Sequence, residues 1–400
     1  MAGRVAPLHS GARKKSSGRT VYVTAIGTAT ISAPAAGTSK LLGLEIIRFA
    51  CAMTVLIWHY HHFAMIGDSS ALARPHQPLE YLLWPFYQFG KYGVQIFWCI
   101  SGFIFYWKYA DALAARRVEP RRFFWLRFSR LYPLHLVTLL IVAGLQPLYI
   151  SLAGQPFIFK DVSVTSFLLH LGLADQWTGP RPMSFNGPIW SVSAEIFVYA
   201  AFFLLVSSFG KSRWLIGGAI GIGLASMWSE AYSTAVICAS YFFAGGAAAE
   251  LLASEKVRQH PVRAKAVAAA MIAACVVAAF FLDLAGSDNQ MWTWVLVITP
   301  PLLFLAAQDW PALDRWQAPI QAAGNLTYST YLIHFPMQLG VAIVALAAGI
   351  TLPLAEAWFL LAYLTASIVI GRIVFVRFEA PMQDLIRTAT LSTKGKRAAA

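Results

Sequence analysis

Ten apolar stretches, each near the length of about 20 residues that a helix needs to cross a hydrocarbon core, run along the chain at 41–63, 88–108, 131–152, 188–209, 213–229, 232–252, 264–285, 291–308, 324–349 and 355–377. No water-soluble fold absorbs that pattern. Of the 400 residues, 58% are apolar and 12% are charged, against about 45–50% and about 25% in soluble domains. The sequence therefore predicts an all-α integral membrane protein, a bundle of about ten transmembrane helices. The 14 Trp, 15 Tyr and 27 Phe exclude disorder. Cys51, Cys99, Cys238 and Cys275 sit in apolar stretches without metal-ligand spacing and read as small buried hydrophobes.

A net charge of +13 would suit a nucleic-acid binder if it were pooled on a soluble face. Its distribution argues otherwise. With the polar arm 1–40 placed in the cytoplasm and the helices alternating, 26 of the 31 basic residues fall on the cytoplasmic side, as the positive-inside rule requires. Arg74, Lys91, Lys160 and Arg181 fall outside, and Arg48 lies within the first helix. Both termini are then cytoplasmic, in a multi-pass protein of the cell membrane. Residues 1–40 read as a flexible basic tail, 41–377 as the membrane domain and 378–400 as a second tail, with no soluble domain appended. The stretch 162–174 is too short to span and reads as an interfacial or re-entrant piece.

Polar groups inside membrane helices are costly and mark function. The first helix carries four. At about 100° per residue, Arg48 and His59 fall within about 20° of one face, and Glu45 and His62 within about 40° of one or the other. Such a stripe can line a cavity; an intrahelical Glu45–Arg48 pair with interfacial histidines is the plainer reading. Arg127 and Arg130, three apart in LRFSRLYPLHL, share a helix face. Their guanidinium forks suit phosphate, while an anchor for anionic membrane lipid would need the same charge.

In NGPIWSVSAEIFVY, Trp190, Ser193 and Glu195 enter the membrane after a Pro188 helix start. Glu195 needs a cation or water there, as a structural device or as a substrate-facing group. YSTYLIHFP adds Tyr328, Ser329, Tyr331 and His334 at depth; His334 is equally readable as a satisfied core histidine. Ser101–Gly102 in FWCISGF reads as close helix packing. The run His59–His62 lacks the matching acids or cysteines of a metal site. Neither a GxSxG elbow nor a Walker loop occurs.

Taken in order, LGLEIIR with His59 beyond it, GVQIFWCISGF, RFSRLYPLHL, NGPIWSVSAEIFVY and YSTYLIHFP resemble the acyltransferase 3 family over about 41–377. The resemblance implies an integral-membrane enzyme that acylates hydroxyls of surface glycans, lipids or small metabolites. The family's arginine–ten residues–histidine motif falls on Arg48 and His59, its RxxR motif on Arg127 and Arg130, and its tryptophan–serine–glutamate stretch on Trp190, Ser191, Ser193 and Glu195. Ala194 replaces the second acid of many members. The resemblance implies acyl-CoA, by default acetyl-CoA, as co-substrate, with no bound cofactor and no nucleic acid.

On that basis His59, Arg48 and Glu195 are the expected catalytic residues. Glu45, Arg127, Arg130, Trp190, Ser193, Tyr331 and His334 are expected at the substrates. Imidazole, titrating near neutral pH, suits His59 as a general base. A proton- or solute-coupled transporter would also carry buried His, Glu and Arg, but the paired repeats common in transporters are not evident here. A lipid-binding scaffold is a third alternative.

Overall fold

A backbone in hydrocarbon must satisfy its own hydrogen bonds, which leaves helices or closed barrels. The computed structural model, which describes residues 41–67, 77–177, 179, 181–230, 232–282 and 287–391, takes the first course. Within them the only extended pairing is an isolated bridge between Asp161 and Ser184. The basic arm 1–40, Arg74 and the last nine residues of the expected tail lie outside the described residues.

The helices run α1 Leu42–His59, α2 Glu80–Phe89, α3 Gly93–Phe105, α4 Asp111–Ala114, α5 Pro120–Ala153, α6 Val164–Leu171, α7 Ile189–Phe209 and α8 Arg213–Met227. They continue as α9 Thr234–Ala253, α10 Glu255–Gln259, α11 Pro261–Phe281, α12 Asp288–Ala306, α13 Gln317–Ala348, α14 Ala357–Val374 and α15 Ala380–Leu391. Local chemistry sets several ends. Pro120 and Pro261 occupy first-turn positions, where the missing N–H costs nothing. Ser163, Ser212, Ser233, Ser254 and Ser287 cap the helices that follow them. Gly154 and Gly349 take left-handed conformations that close α5 and α13.

Each of the ten expected segments is helical, and seven stretches of the described chain are long and apolar enough to cross a membrane. The other three differ for identifiable reasons. The segment expected at 88–108 carries Gln95, Tyr106 and Lys108, which dilute its apolarity, and runs from a 3₁₀ turn over Gly90–Tyr92 through α3 into a π turn over Tyr106–Ala110. α8 has only 15 residues. α12 carries Asn289, Gln290 and the Pro300–Pro301 pair, which dilute its apolarity. The first helix ends at His59 and continues as 3₁₀ over Tyr60–Met65. α6 is the short piece expected near 162–174. At the start of the expected C-terminal tail, a π turn over Phe375–Glu379 carries α14 directly into α15. α15 then packs on α5, where Arg387 Nε donates to Ser129 Oγ at 3.3 Å.

Between α3 and α9 the backbones meet. A Cβ on Gly102 would overlap the carbonyl oxygen of Phe242, and one on Gly245 would overlap that of Cys99. Small residues allow this approach where lipid supplies no hydrophobic drive between helices. Gly102→Val and Gly245→Val are therefore each expected to destabilise by about 1–3 kcal/mol, toward the upper end because the obstacle is backbone. Gly144→Ala, facing open space, is the control. Thermal unfolding in detergent checks this; a Gly102→Val protein melting with the control would refute the close approach.

Candidate active site

Two polar cavities lie within the bundle. The first, of about 140 Å³, is lined by Arg48 from α1, Ser101 and Phe105 from α3, Arg127 and Arg130 from α5, Ser191, Glu195 and Tyr199 from α7, and Thr327, Tyr328 and Tyr331 from α13. The second, of about 260 Å³, is lined by His59 and His62, Gln95 of α3, Trp190 of α7, Trp292 of α12, and Phe159, Gln176 and Arg181 from the segment between α5 and α7. Val94, Trp98 and Tyr331 border both. α1 connects them: Arg48 faces the first, and His59, about 16 Å farther along at 1.5 Å per residue, faces the second.

In the first cavity Arg48 Nη1 pairs with Glu45 Oε2 at 2.9 Å. Ser101 Oγ donates to Glu195 and lies 3.4 Å from the Tyr199 hydroxyl. Arg127 is held by ring faces: its guanidinium carbon sits 4.4 Å from the Phe105 centroid and 4.9 Å from that of Tyr109. Such contacts place a cation without neutralising it. The Tyr331 hydroxyl donates to Pro188 O at 2.9 Å and lies 3.0 Å from Ser191 Oγ.

In the second cavity His59 Nδ1 lies 2.9 Å from Val55 O. A carbonyl only accepts, so Nδ1 carries the proton and Nε2 presents its lone pair. Trp190 stacks edge-on against Trp98, centroids 5.5 Å apart. The segment over this cavity is fastened by side chains. Asp161 accepts from Ser166 Oγ and from Ser163 N, and those hydrogen bonds hold its carboxyl below the ordinary carboxylate range. His135 Nε2 donates to His170 O at 2.8 Å.

Of the expected residues, Arg48, Arg127, Arg130, Glu195 and Tyr331 meet in the first cavity, and His59, Trp190 and Tyr331 in the second. Three line neither. Glu45 is taken up by Arg48 and lies against Gly324, the plainer of the two readings of that pair. Ser193 is fully buried and accepts from Gln176 N at 3.1 Å, so it braces the segment over the second cavity. His334 is fully buried, with its ring centroid 4.7 Å from that of His59.

Sequence reasoning passed over Ser101, which both lines the first cavity and holds Glu195. The packing role expected of Ser101–Gly102 belongs to the glycine alone. Gln338 was also missed; its Nε2 donates to His59 O at 2.9 Å. The signal was available, since Gln338 stands four residues after His334, one helical turn on. Among the described residues, no cluster of three or more His, Cys, Asp or Glu side chains has metal-holding geometry.

The sequence that builds this all-helical bundle matches a known class. Residues 41–376 match the acyltransferase 3 family, described as an acyltransferase domain, and the chain belongs to that family. It is similar to the acyltransferase MdmB of Streptomyces mycarofaciens, 36% identical over 117 residues. That match covers 28% of this chain and 27% of the relative, so the chain spans about a quarter of the curated protein it resembles. No solved structure matches the chain.

Removing the Ser101 hydroxyl strips Glu195 of a donor inside the bundle. Ser101→Ala is expected to cost about 1–3 kcal/mol, the penalty for an unsatisfied buried group. Melting temperature checks it; a Ser101→Ala protein melting with the parent would disprove the assignment.

Proposed function

We propose that the protein is a membrane-embedded O-acyltransferase that moves an acyl group, acetyl by family default, from cytoplasmic acyl-CoA to a hydroxyl of a surface or exported carbohydrate. The observation that carries this reading is the pair of cavities bordering the same three side chains, arginines lining one and His59 the other. Arg127 and Arg130 receive the phosphates of the donor. Its acyl arm passes Arg48 and reaches the boundary at Trp98 and Tyr331. The acceptor enters the second cavity, where Trp190 and Trp292 offer ring faces and Gln95, Gln176 and Arg181 offer hydrogen bonds.

His59 Nε2 takes the proton of the acceptor hydroxyl as its oxygen attacks the thioester carbon. Collapse of the tetrahedral adduct breaks the C–S bond, and the departing thiolate takes the proton back from His59. Direct attack of this kind needs no acyl-enzyme. Glu195 acts as an electrostatic partner of Arg48 and Arg130, whose charges lie within range of it.

The tryptophan-lined second cavity and the donor arginines favour transfer over transport. A transporter would leave no acyl label on an acceptor. Mass spectrometry of surface glycans and lipids from cells with and without the protein names the acyl group and acceptor together. His59→Ala should cost about 10²–10⁴-fold in transfer while acyl-CoA binding survives. Arg127→Ala and Arg130→Ala should instead raise the acyl-CoA KM, each losing about 1.5–3 kcal/mol per charged hydrogen bond. Unchanged donor affinity in the double variant would return the arginines to a lipid anchor, and normal turnover by His59→Ala would remove the base.

The same reading places about ten crossings in the cell membrane with both termini in the cytoplasm. Single cysteines introduced at 153–187 should react with an impermeant thiol reagent on intact cells, and cysteines in either terminal region should not. Labelling of the N-terminal arm from outside would overturn this topology.

A further inference from the structure

A third cavity, in the cleft between α9 and α11, shares no lining residue with the other two. It measures about 610 Å³, within the range of about 300–1,000 Å³ that ligand pockets occupy. α9 and α11 each pack on α12 and make little contact with one another, so the space between them stays open. Its walls are Ala248 and Leu251 of α9, Val267 and Met271 of α11, and Phe304 with the Pro300–Pro301 pair of α12. The proline rings carry no N–H, so that wall asks for no polar partner. At one end the chain turns from α10 into α11, and there Lys256, His260 and Arg263 line the same cavity.

The order of these groups along the helices is informative. Arg263 stands in the first turn of α11, and Met271, eight residues on, lies about 12 Å deeper in a helix long and apolar enough to span a membrane. Leu251 and Phe304 come from the last turns of α9 and α12. Charge at the rim thus gives way to hydrocarbon within one cleft, which is the layout of a phospholipid with its phosphate at the surface and its chains below.

The rim charge is also uncompensated. The nearby acids are committed elsewhere, Glu250 to Lys211 at 3.1 Å and Glu255 to Arg258. Among the described residues no acid pairs with Lys256 or Arg263. Lys265 turns instead to Trp310, 5.5 Å from the ring centroid. α11 is loosely held as well: its buried share, 6%, is the smallest among the candidate spans.

We propose that this cleft is a binding site for an anionic phospholipid. The phosphate lies at Lys256 and Arg263, the acyl chains run between Leu251, Met271 and Phe304, and the lipid ties α11 to α9. The site is separate from acyl transfer and does not depend on the reading of the other two cavities. A zwitterionic lipid offers the same chains, but its own cation meets the basic rim, so net negative charge decides the occupant.

The test uses the full chain purified in detergent, with palmitoyl-oleoyl phosphatidylglycerol as probe. Phosphatidylcholine of the same chains and free glycerol 3-phosphate are the comparisons. Melting temperature against lipid concentration reads the affinity, because a ligand of the folded state raises it by mass action, and native mass spectrometry counts the lipid retained. Phosphatidylglycerol should raise the melting temperature, and one molecule of it should be retained that phosphatidylcholine does not replace. Lys256→Ser with Arg263→Ser should weaken its binding about thirtyfold, from the attraction of two basic residues for anionic lipid. Arg258→Ser with Arg213→Ser removes the same charge outside the cleft and should leave the affinity unchanged. Val267→Trp, at a position 53% exposed, fills the cleft from its wall and should weaken binding without disturbing the core. Equal stabilisation by phosphatidylcholine reduces the cleft to an apolar groove, and stabilisation by glycerol 3-phosphate makes it a site for soluble anions; either overturns the proposal. So does parental affinity in the Lys256 and Arg263 double variant or in Val267→Trp, or an equal loss in the Arg258 and Arg213 control.

Discussion

A guanidinium carried into an apolar bundle must find a counter-charge or an equivalent, because an unpaired charge there is far too costly to keep. Three arginines impose this demand on the first cavity, and the helices converge so as to meet it. Glu45 answers Arg48 from one turn earlier on α1. Glu195 is brought by α7 and steadied by Ser101 of α3. Glu379 comes from the π turn between α14 and α15, receives Ser329 of α13, and lies within range of both Arg130 and Arg48. Arg127 is met by aromatic faces from α3 and α5. Cations held by rings or by shared carboxylates remain free to attract an anion, which a saturated ion pair does not.

The histidines obey a complementary rule. Around His59 the protein supplies acceptors to every Nδ1: a main-chain carbonyl for His59, another for His334, and an amide oxygen for His62. One tautomer is thereby imposed on three rings, and the nitrogen left over on His59 is the one that the proposed reaction would use as a base. The pattern comes from helical geometry, since a histidine can reach back to a carbonyl three or four residues earlier, as His334 does to Tyr331 and His59 to Val55. Fixing the tautomer through the unused nitrogen is how a protein makes a neutral imidazole a directed base.

The membrane character, the ten apolar helical segments and the charged residues of the first cavity were legible in the sequence, because apolar length and isolated polar groups are local signals. Arg127 and Arg130 are three apart on a helix, so their shared face follows from periodicity alone. The limits of local reasoning appear where a side chain has two available partners. Glu45 and Ser193 look as exposed to a cavity as their neighbours do, yet Arg48 claims one and the backbone of Gln176 the other. Ser101 was read through the glycine beside it, although the two face different helices. The packing of α15 on α5 is a tertiary fact that the polar composition beyond residue 378 does not announce. The π turns at Tyr106–Ala110 and Phe375–Glu379 likewise leave no composition signal that separates them from regular helix.

Val94, Trp98 and Tyr331 form the border between the two cavities, and that position carries a duty apart from chemistry. If the two cavities take donor and acceptor from opposite faces of an energised membrane, as proposed, their border must also keep protons and small ions from running down the gradient. A bulky indole and a phenol, the latter pinned at Pro188 O, would then serve as electrical insulation at the point where the two polar compartments come nearest. Substituents that widen this border would therefore bear on the energetics of the whole cell before they bear on turnover, which sets a physiological ceiling on how roomy the passage between donor and acceptor can become.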